Sequence, residues 1–145
     1  MSAAAPSSEG VHVSGIGIDA VDVNRFRRVL GRRPALAERM FTEAERADAA
    51  GRGDPAQHLA ARFAAKEAVM KVLGTGIGGF ALHDVEVVRG NAPGARRGAP
   101  SLRLSDRAAA LAAERGVCQW HVSLTHTDQL AMAVVLAESG APGSG

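Results

Sequence analysis

From Pro55 to Leu73 the chain reads PAQHLAARFAAKEAVMKVL, a run made almost entirely of strong helix formers. Its ends carry matching signals. Asp54 stands where an N-cap belongs, Pro55 suits a first turn whose N–H groups are unpaired in any case, and Gly74 suits the C-terminal exit. The spacing therefore predicts one long helix over 55–73. On a wheel of about 100° per residue, Leu59, Phe63 and Met70 share one arc, Glu67 stands at its edge, and Lys71 follows one turn later on the same side. Ala60 and Ala64 leave room for a second element to pack against that stripe, which turns Glu67 toward a cleft rather than bulk water.

The flanking segments follow different periods. Val11 to Asp19 carries the Val and Ile of a strand, and it leads into a helix in which Val23, Phe26, Val29 and Leu30 recur at helical spacing behind a candidate cap, Asp22. Thr42 and Glu45 have the spacing of a capping box and predict a further short helix. After the glycine-rich exit GTGIGG, Leu82 to Val88 and SLRL read as strands joined by an exposed turn over 91–100. Ser105 then stands as the cap of a helix that reaches about Arg115 and stops at Gly116. CQWHVSLTH and LAMAVVLAE read as two final strands. Helices interspersed with hairpin-like pairs predict an α+β fold, a single compact domain with mostly antiparallel sheet packed against one long helix and several shorter ones. Residues 1–10 and 139–145 read as tails of Ser, Gly, Pro and Ala that bury too little apolar surface to order, which leaves the domain at 11–138.

Composition narrows the function classes. A chain of 145 residues with 46% hydrophobic and 22% charged residues is an ordinary globular domain. Aromatics are only 3%, with one Trp and no Tyr, so an oligomer that buries further apolar surface is favoured. A net charge of +2 without a dense basic run argues against nucleic acid as partner, and the scarcity of aromatics for base stacking argues against RNA in particular. No apolar run approaches the roughly 20 residues of a membrane span, and the start lacks a secretory pattern. A single cysteine, Cys118, fits a reducing compartment, so the expected location is the cytoplasm.

The chemistry-bearing residues are few. Asp19 ends a strand whose Gly15 and Gly17 let another group approach the backbone; it is either a metal-seeking carboxylate or a second cap beside Asp22. Glu67 and Lys71 are either a solvated (i, i+4) ion pair or a carboxylate and a cation facing one cleft. Lys66 falls inside the apolar arc, where it either snorkels to solvent or reaches a phosphate. Alternation in WHVSLTH places Trp120, Val122, Leu124 and His126 on one strand face; a strand-end histidine such as His126 is either a hydrogen-bonded structural residue or a ligand contact. Asp19, Glu67, Lys71, Arg62 and His126 together have the composition to hold Mg²⁺ on a diphosphate, because magnesium takes one or two carboxylates and completes its octahedron with phosphate oxygens and water.

Three segments, GIGIDAVDVNRF, RFAAKEAVMKVLGTGI and VSLTHTDQLAMAVV, together resemble the holo-(acyl carrier protein) synthase family of 4′-phosphopantetheinyl transferases, in the same order and spacing over nearly the whole chain. The resemblance implies that a carrier-protein serine attacks the β-phosphorus of coenzyme A and releases adenosine 3′,5′-bisphosphate. It implies Asp19 and Glu67 as Mg²⁺ ligands and Lys71 as the cation on the leaving phosphate. Glu67, or a water held by the carboxylates, takes the serine proton. It further implies Arg62 and His126 as contacts to coenzyme A phosphates, Gly74, Thr75 and Gly76 as the nucleotide pocket, and Arg25 and Arg28, with Arg32 and Arg33 beside them, as the docking charge for an acidic carrier protein. The family pattern also implies a homotrimer with active sites between protomers. Here His126 is followed by Thr127, with Asp128 one place later, where the family often has an acid directly after the histidine. A homologue that binds coenzyme A or carrier protein without catalysis is the rival reading, and intact Asp19, Glu67 and Lys71 speak against it. Whether the carrier serves fatty-acid, polyketide or peptide synthesis is left open.

Overall fold

A computed structural model describes residues 10–90 and 96–140. In chain order the elements are β1 (His12–Asp22), α1 (Val23–Arg32), α2 (Ala35–Met40), α3 (Glu43–Ala50), α4 (Pro55–Leu73), a single 3₁₀ turn (Leu82–Asp84), β2 (Val85–Arg89), β3 (Pro100–Leu104), α5 (Asp106–Glu114), β4 (Val117–His126) and β5 (Leu130–Ser139). The architecture is α+β with antiparallel pairing throughout, as the sequence predicts. One sheet has the order β1-β5-β4 and a second consists of β2 and β3.

The long helix is the centre of the molecule. Leu59, Ala60, Ala61, Ala64, Ala65, Ala68, Val69, Met70 and Leu73 are all buried, and the apolar clusters of the core follow α4 from end to end. A helix buried on most of its circumference needs small residues wherever a neighbour comes close, and its alanines supply them. The closest neighbour is β1. A Cβ on Gly17 would stand 2.2 Å from the carbonyl oxygen of Ala68, and one on Gly15 would stand 2.9 Å from Val72. Two glycines thus let a strand lie directly on the helix. Trp120, Val122 and Leu124 of β4 pack toward the same side, as their alternation predicts.

Local signals hold at most ends. Asp22 caps α1 through Arg25 N (2.8 Å), the Thr42–Glu45 capping box is complete, and Gly74 leaves α4 in the left-handed conformation at φ 67°. Other details differ. Asp54 occupies the N-cap position of α4 but spends its carboxylate on Arg27 (2.7 Å), and Ser105 bonds Asp84 O instead of capping α5. β1 runs on to Asp22 because β5 continues to pair with it as far as Leu130. Of the expected strand from Leu82, the first turn is 3₁₀. The tails expected at 1–10 and 139–145, and the turn over 91–95, lie largely outside the described residues. Ser139 is within them: it closes β5, pairs with His12 and Val117, and donates its hydroxyl to Ser14 Oγ (2.8 Å), so the strand runs one residue past 138. Among the described residues no helix is long and apolar enough to cross a membrane.

Candidate active site

Alternation along β1 turns Asp19 to the face that lies on α4, the same face as Gly17 and Gly15. The bare strand brings that carboxylate to the C-terminal half of the helix. Lys71 Nζ donates to Ile18 O (2.8 Å) and stands 3.2 Å from Asp19 Oδ1. Glu67, one turn earlier, has its proton affinity raised above the usual value, first by burial and then by the charge of Asp19, with Lys71 pulling the other way. Structure therefore joins all three residues, and Glu67 and Lys71 are not merely an intrahelical surface pair.

Glu67 also separates two clefts. One, of about 550 Å³, is lined by Asp19, Asp22, Arg25, Val29 and Glu67. The other, of about 820 Å³ and mostly apolar, is lined by Leu36, Ile77, Phe80, Leu82 and again Glu67. Phe63 and Met40 are shared by both and form the ridge between them.

Asp19 and Glu67 fit a divalent cation. Two carboxylates crowded enough for one to raise the other's proton affinity form a like-charge pair that a cation relieves. Among the described residues no cluster of three or more His, Cys, Asp or Glu side chains could hold a metal. Magnesium asks for less, since substrate and water supply most of its oxygens.

The other predicted contacts stand elsewhere. His58 and Glu67 are about two and a half turns apart on α4 at about 3.6 residues per turn, and so on opposite sides of the helix. On the His58 side lies His126, whose ring meets that of His58 edge-on with centroids 5.2 Å apart. Arg62 is on this flank too, but it is 1% exposed: it is ion-paired to Asp48 and donates to His58 O (3.1 Å). Burial lowers the proton affinity of its guanidinium and Asp48 restores part of it. Arg62, expected at a coenzyme A phosphate, thus has its guanidinium engaged by Asp48 and His58 O.

Lys66 neither snorkels nor reaches a phosphate. It is wholly buried, and its three protons go to Glu45 Oε1 (2.8 Å), Leu82 O (3.1 Å) and Val85 O. Glu45 in turn accepts from Val87 N (3.2 Å). The capping box showed only the half of Glu45 that faces its own helix; nothing local marks the half that reaches Lys66.

Gly74 and Gly76 are exposed at the end of α4, and Thr75 folds its hydroxyl against Gly79, buried and without a protein partner. Arg25 and Arg28 stand on the open side of α1, with Arg25 at the wall of the cleft that holds Asp19. His58, Arg52 and Asp48, which surround a second polar recess at the α3–α4 turn, were not singled out from sequence. The one available signal was the (i, i+4) spacing of His58 and Arg62.

Comparison with known proteins identifies the family and the fold. The sequence profile of the 4′-phosphopantetheinyl transferase superfamily matches residues 15–135. A holo-[acyl-carrier-protein] synthase from Frankia casuarinae is 50% identical over 127 residues, which cover 88% of this chain and 98% of that protein. The crystal structure of holo-[acyl-carrier-protein] synthase from Neisseria meningitidis superposes with a TM-score of 0.76 at 30% identity, covering 88% of this chain and 100% of that one. A holo-(acyl-carrier-protein) synthase from Bacillus anthracis in complex with CoA (3′,5′-ADP) superposes with a TM-score of 0.69 at 34% identity, covering 90% of this chain and 100% of that one.

Proposed function

Since the chain belongs to the 4′-phosphopantetheinyl transferase superfamily, among its holo-[acyl-carrier-protein] synthases, we propose that it moves the 4′-phosphopantetheine group of coenzyme A to a serine of an apo acyl carrier protein, with Mg²⁺, and releases adenosine 3′,5′-bisphosphate. The observation that carries this reading is the meeting of Asp19, Glu67 and Lys71 at the edge of a cleft. Asp19 and Glu67 are the residues that would hold Mg²⁺, which supplies positive charge to the diphosphate when bound.

The serine oxygen forms a bond to the β-phosphorus as the bond from that phosphorus to the bridging oxygen breaks. Negative charge then grows on the departing bisphosphate. Lys71, fixed by Ile18 O and Asp19, is positioned to meet that charge without reorganising. Glu67, with its raised proton affinity, is the chain's own candidate to receive the serine proton. The exposed loop at Gly74, Thr75 and Gly76 follows Lys71 directly and is read as the nucleotide side of the pocket. Arg25 and Arg28 face an acidic carrier protein from the open side of α1.

The catalytic assembly is read as a homotrimer with active sites between protomers. Two features support this. The sheet face turned away from α4 carries Ile16, Ile18 and Val134 in adjacent register, with Ile16 68% exposed. His126, the proposed phosphate contact, and the Asp19–Glu67 pair lie on opposite flanks of α4, so one coenzyme A meets both most simply where two copies adjoin. The location is read as cytoplasmic, from the single exposed thiol Cys118.

Incubating the purified protein with coenzyme A, Mg²⁺ and apo carrier proteins of fatty-acid, polyketide and peptide type, then measuring intact mass, tests the reaction. The expected result is a phosphopantetheine mass increment on at least one carrier, abolished by EDTA and restored by Mg²⁺. No increment on any carrier returns the chain to a binding role.

A further inference from the structure

We propose that His58 is a positioning residue for His126, holding that ring from α4 so that its free edge faces a phosphate of coenzyme A. The inference rests on the reading of His126 as a phosphate contact and adds a residue that neither composition nor motif singled out.

The geometry is specific to the pair. The two rings meet at an interplanar angle of 76° with centroids 5.2 Å apart, the edge-to-face arrangement in which one ring's positive edge meets the other's π face. His126 is exposed at the end of β4, so without such a neighbour its ring has free rotamers to choose among. His58 is half-buried in the first turns of the most buried helix of the molecule, a rigid base for a support. The preceding residue does the same for the backbone: Gln57 Nε2 donates to Thr127 O (3.4 Å) and to Asp128 Oδ1 (3.2 Å). Thr127 Oγ1 then accepts from Gln129 N (3.2 Å) and Leu130 N (3.0 Å), closing the turn. Gln57 and His58 together therefore fix both the turn after β4 and the ring that begins it. Asp128 thus accepts a hydrogen bond from Gln57 in this turn.

His58 supports as an aromatic ring rather than as a charge. Burial, then Arg52, His126, Arg62 and Arg89, lower its proton affinity below the usual histidine value, and Asp48 is occupied by Arg62 and Arg52. These surroundings favour the uncharged ring, whose contribution is its shape. Phenylalanine at the same place keeps that shape.

Four full-length proteins test this: wild type, His58→Ala, His58→Phe and His126→Ala. Coenzyme A affinity is read by calorimetry with Mg²⁺, KM is read for both substrates, and the ring Cε1–H signal of His126 is read by NMR. With five histidines in the chain, that signal is assigned by its loss in His126→Ala. The expected result for His58→Ala is a displaced His126 signal and coenzyme A binding weakened about tenfold, with the carrier-protein KM unchanged. His58→Phe is expected to bind within about twofold of wild type, because an aromatic neighbour is retained. The proposal is overturned if His58→Ala leaves the His126 signal in place, or if His58→Phe binds as poorly as His58→Ala. Should His126→Ala itself bind coenzyme A normally, the phosphate reading of His126 fails, and the NMR signal still decides whether His58 positions it.

Discussion

Lys71 reaches across from α4 to hold Ile18 O at 2.8 Å and Asp19 Oδ1 at 3.2 Å, so one ammonium ties the helix to the carboxylate at the end of the glycine strand. The side chain is about half exposed, and as a surface ion pair it contributes at most a few tenths of a kcal/mol. In the proposed reaction, as a charge beside the leaving phosphate, it would contribute far more to the transition state than to the ground state. Lys71→Ala is therefore expected to lower kcat by about 10²-fold, with a much smaller change in coenzyme A affinity and almost none in Tm. Steady-state kinetics and a melting curve on the same preparation check this. Normal turnover in a folded Lys71→Ala protein removes Lys71 from the chemistry.

Glu67 carries a stability cost in the folded protein. Its proton affinity is raised in the folded protein, by burial first and by Asp19 second. Between the unfolded and folded values the native state binds more protons, so stability falls as pH rises through that window and stays at its lower level above it. In metal-free protein, Glu67→Gln is accordingly expected to raise Tm at pH 8, with the gain shrinking as pH falls toward the ordinary carboxylate range, while transfer is lost. Melting curves in EDTA across pH 4–8 read the effect. A Glu67→Gln protein less stable than wild type at pH 8 contradicts the crowding of Glu67 by Asp19.

How much of this was legible in the sequence depends on whether the cause is local. The bounds of α4, the caps at Asp22 and Thr42 and the alternation of β4 rest on neighbouring residues, and each is found where its signal stands. α2 gave no signal because Pro34 caps it without a side-chain bond and none of its residues is fully buried. Lys66 and Arg62 gave no sign of their ion pairs for one reason. Their partners, Glu45 and Asp48, are on α3, and no period within α4 reveals a charge contributed from another element. The glycines of β1 do mark a close approach to α4 that brings Asp19 and Lys71 together, but it lies at Ala68 and Val72 rather than at Ala60 and Ala64, and Arg62 and His126, grouped with them by composition, stand on the other flank.

That close approach is itself testable. A Cβ at Gly17 meets the Ala68 carbonyl oxygen at 2.2 Å, a backbone atom that cannot rotate away. Gly17→Ala should cost roughly 3 kcal/mol or more, since the strand must lift from the helix. Gly31, in α1, has nothing within 4 Å of the same added atom, and Gly31→Ala should stabilise by about 0.5–1 kcal/mol through helix propensity. Denaturant unfolding of the two variants gives opposite signs if the packing is as described.

The buried pair Glu45–Lys66 links α3, the 3₁₀ turn and β2 to α4. Burial pushes the Lys66 ammonium's proton affinity down and Glu45 restores part of it, so either residue alone leaves a poorly compensated group. Lys66→Met is expected to destabilise by about 3–5 kcal/mol, and Glu45→Met/Lys66→Met by much less than twice that. A double-mutant cycle in urea measures the coupling; additive losses would show that the two charges do not depend on each other.

Arg25 tests the division of labour between the two substrates. It sits on α1, exposed beside Arg28 and lining the same cleft as Asp19, so its charge is available to an incoming acidic protein. Coenzyme A is read as approaching from the glycine loop after Lys71, at the other end of the catalytic group. Arg25→Glu places a like charge before an acidic partner and is expected to raise the carrier-protein KM by about tenfold or more. The coenzyme A KM should change by less than about threefold, because the α4 residues that meet it are untouched. Salt screens exposed charges within about 10 Å at 0.1 M, so raising ionic strength should weaken the wild type toward the variant and barely change the variant itself. Kinetics at two salt concentrations, each substrate varied in turn, separates the possibilities. Equal loss for both substrates would move Arg25 from the docking face into the catalytic cleft that it lines.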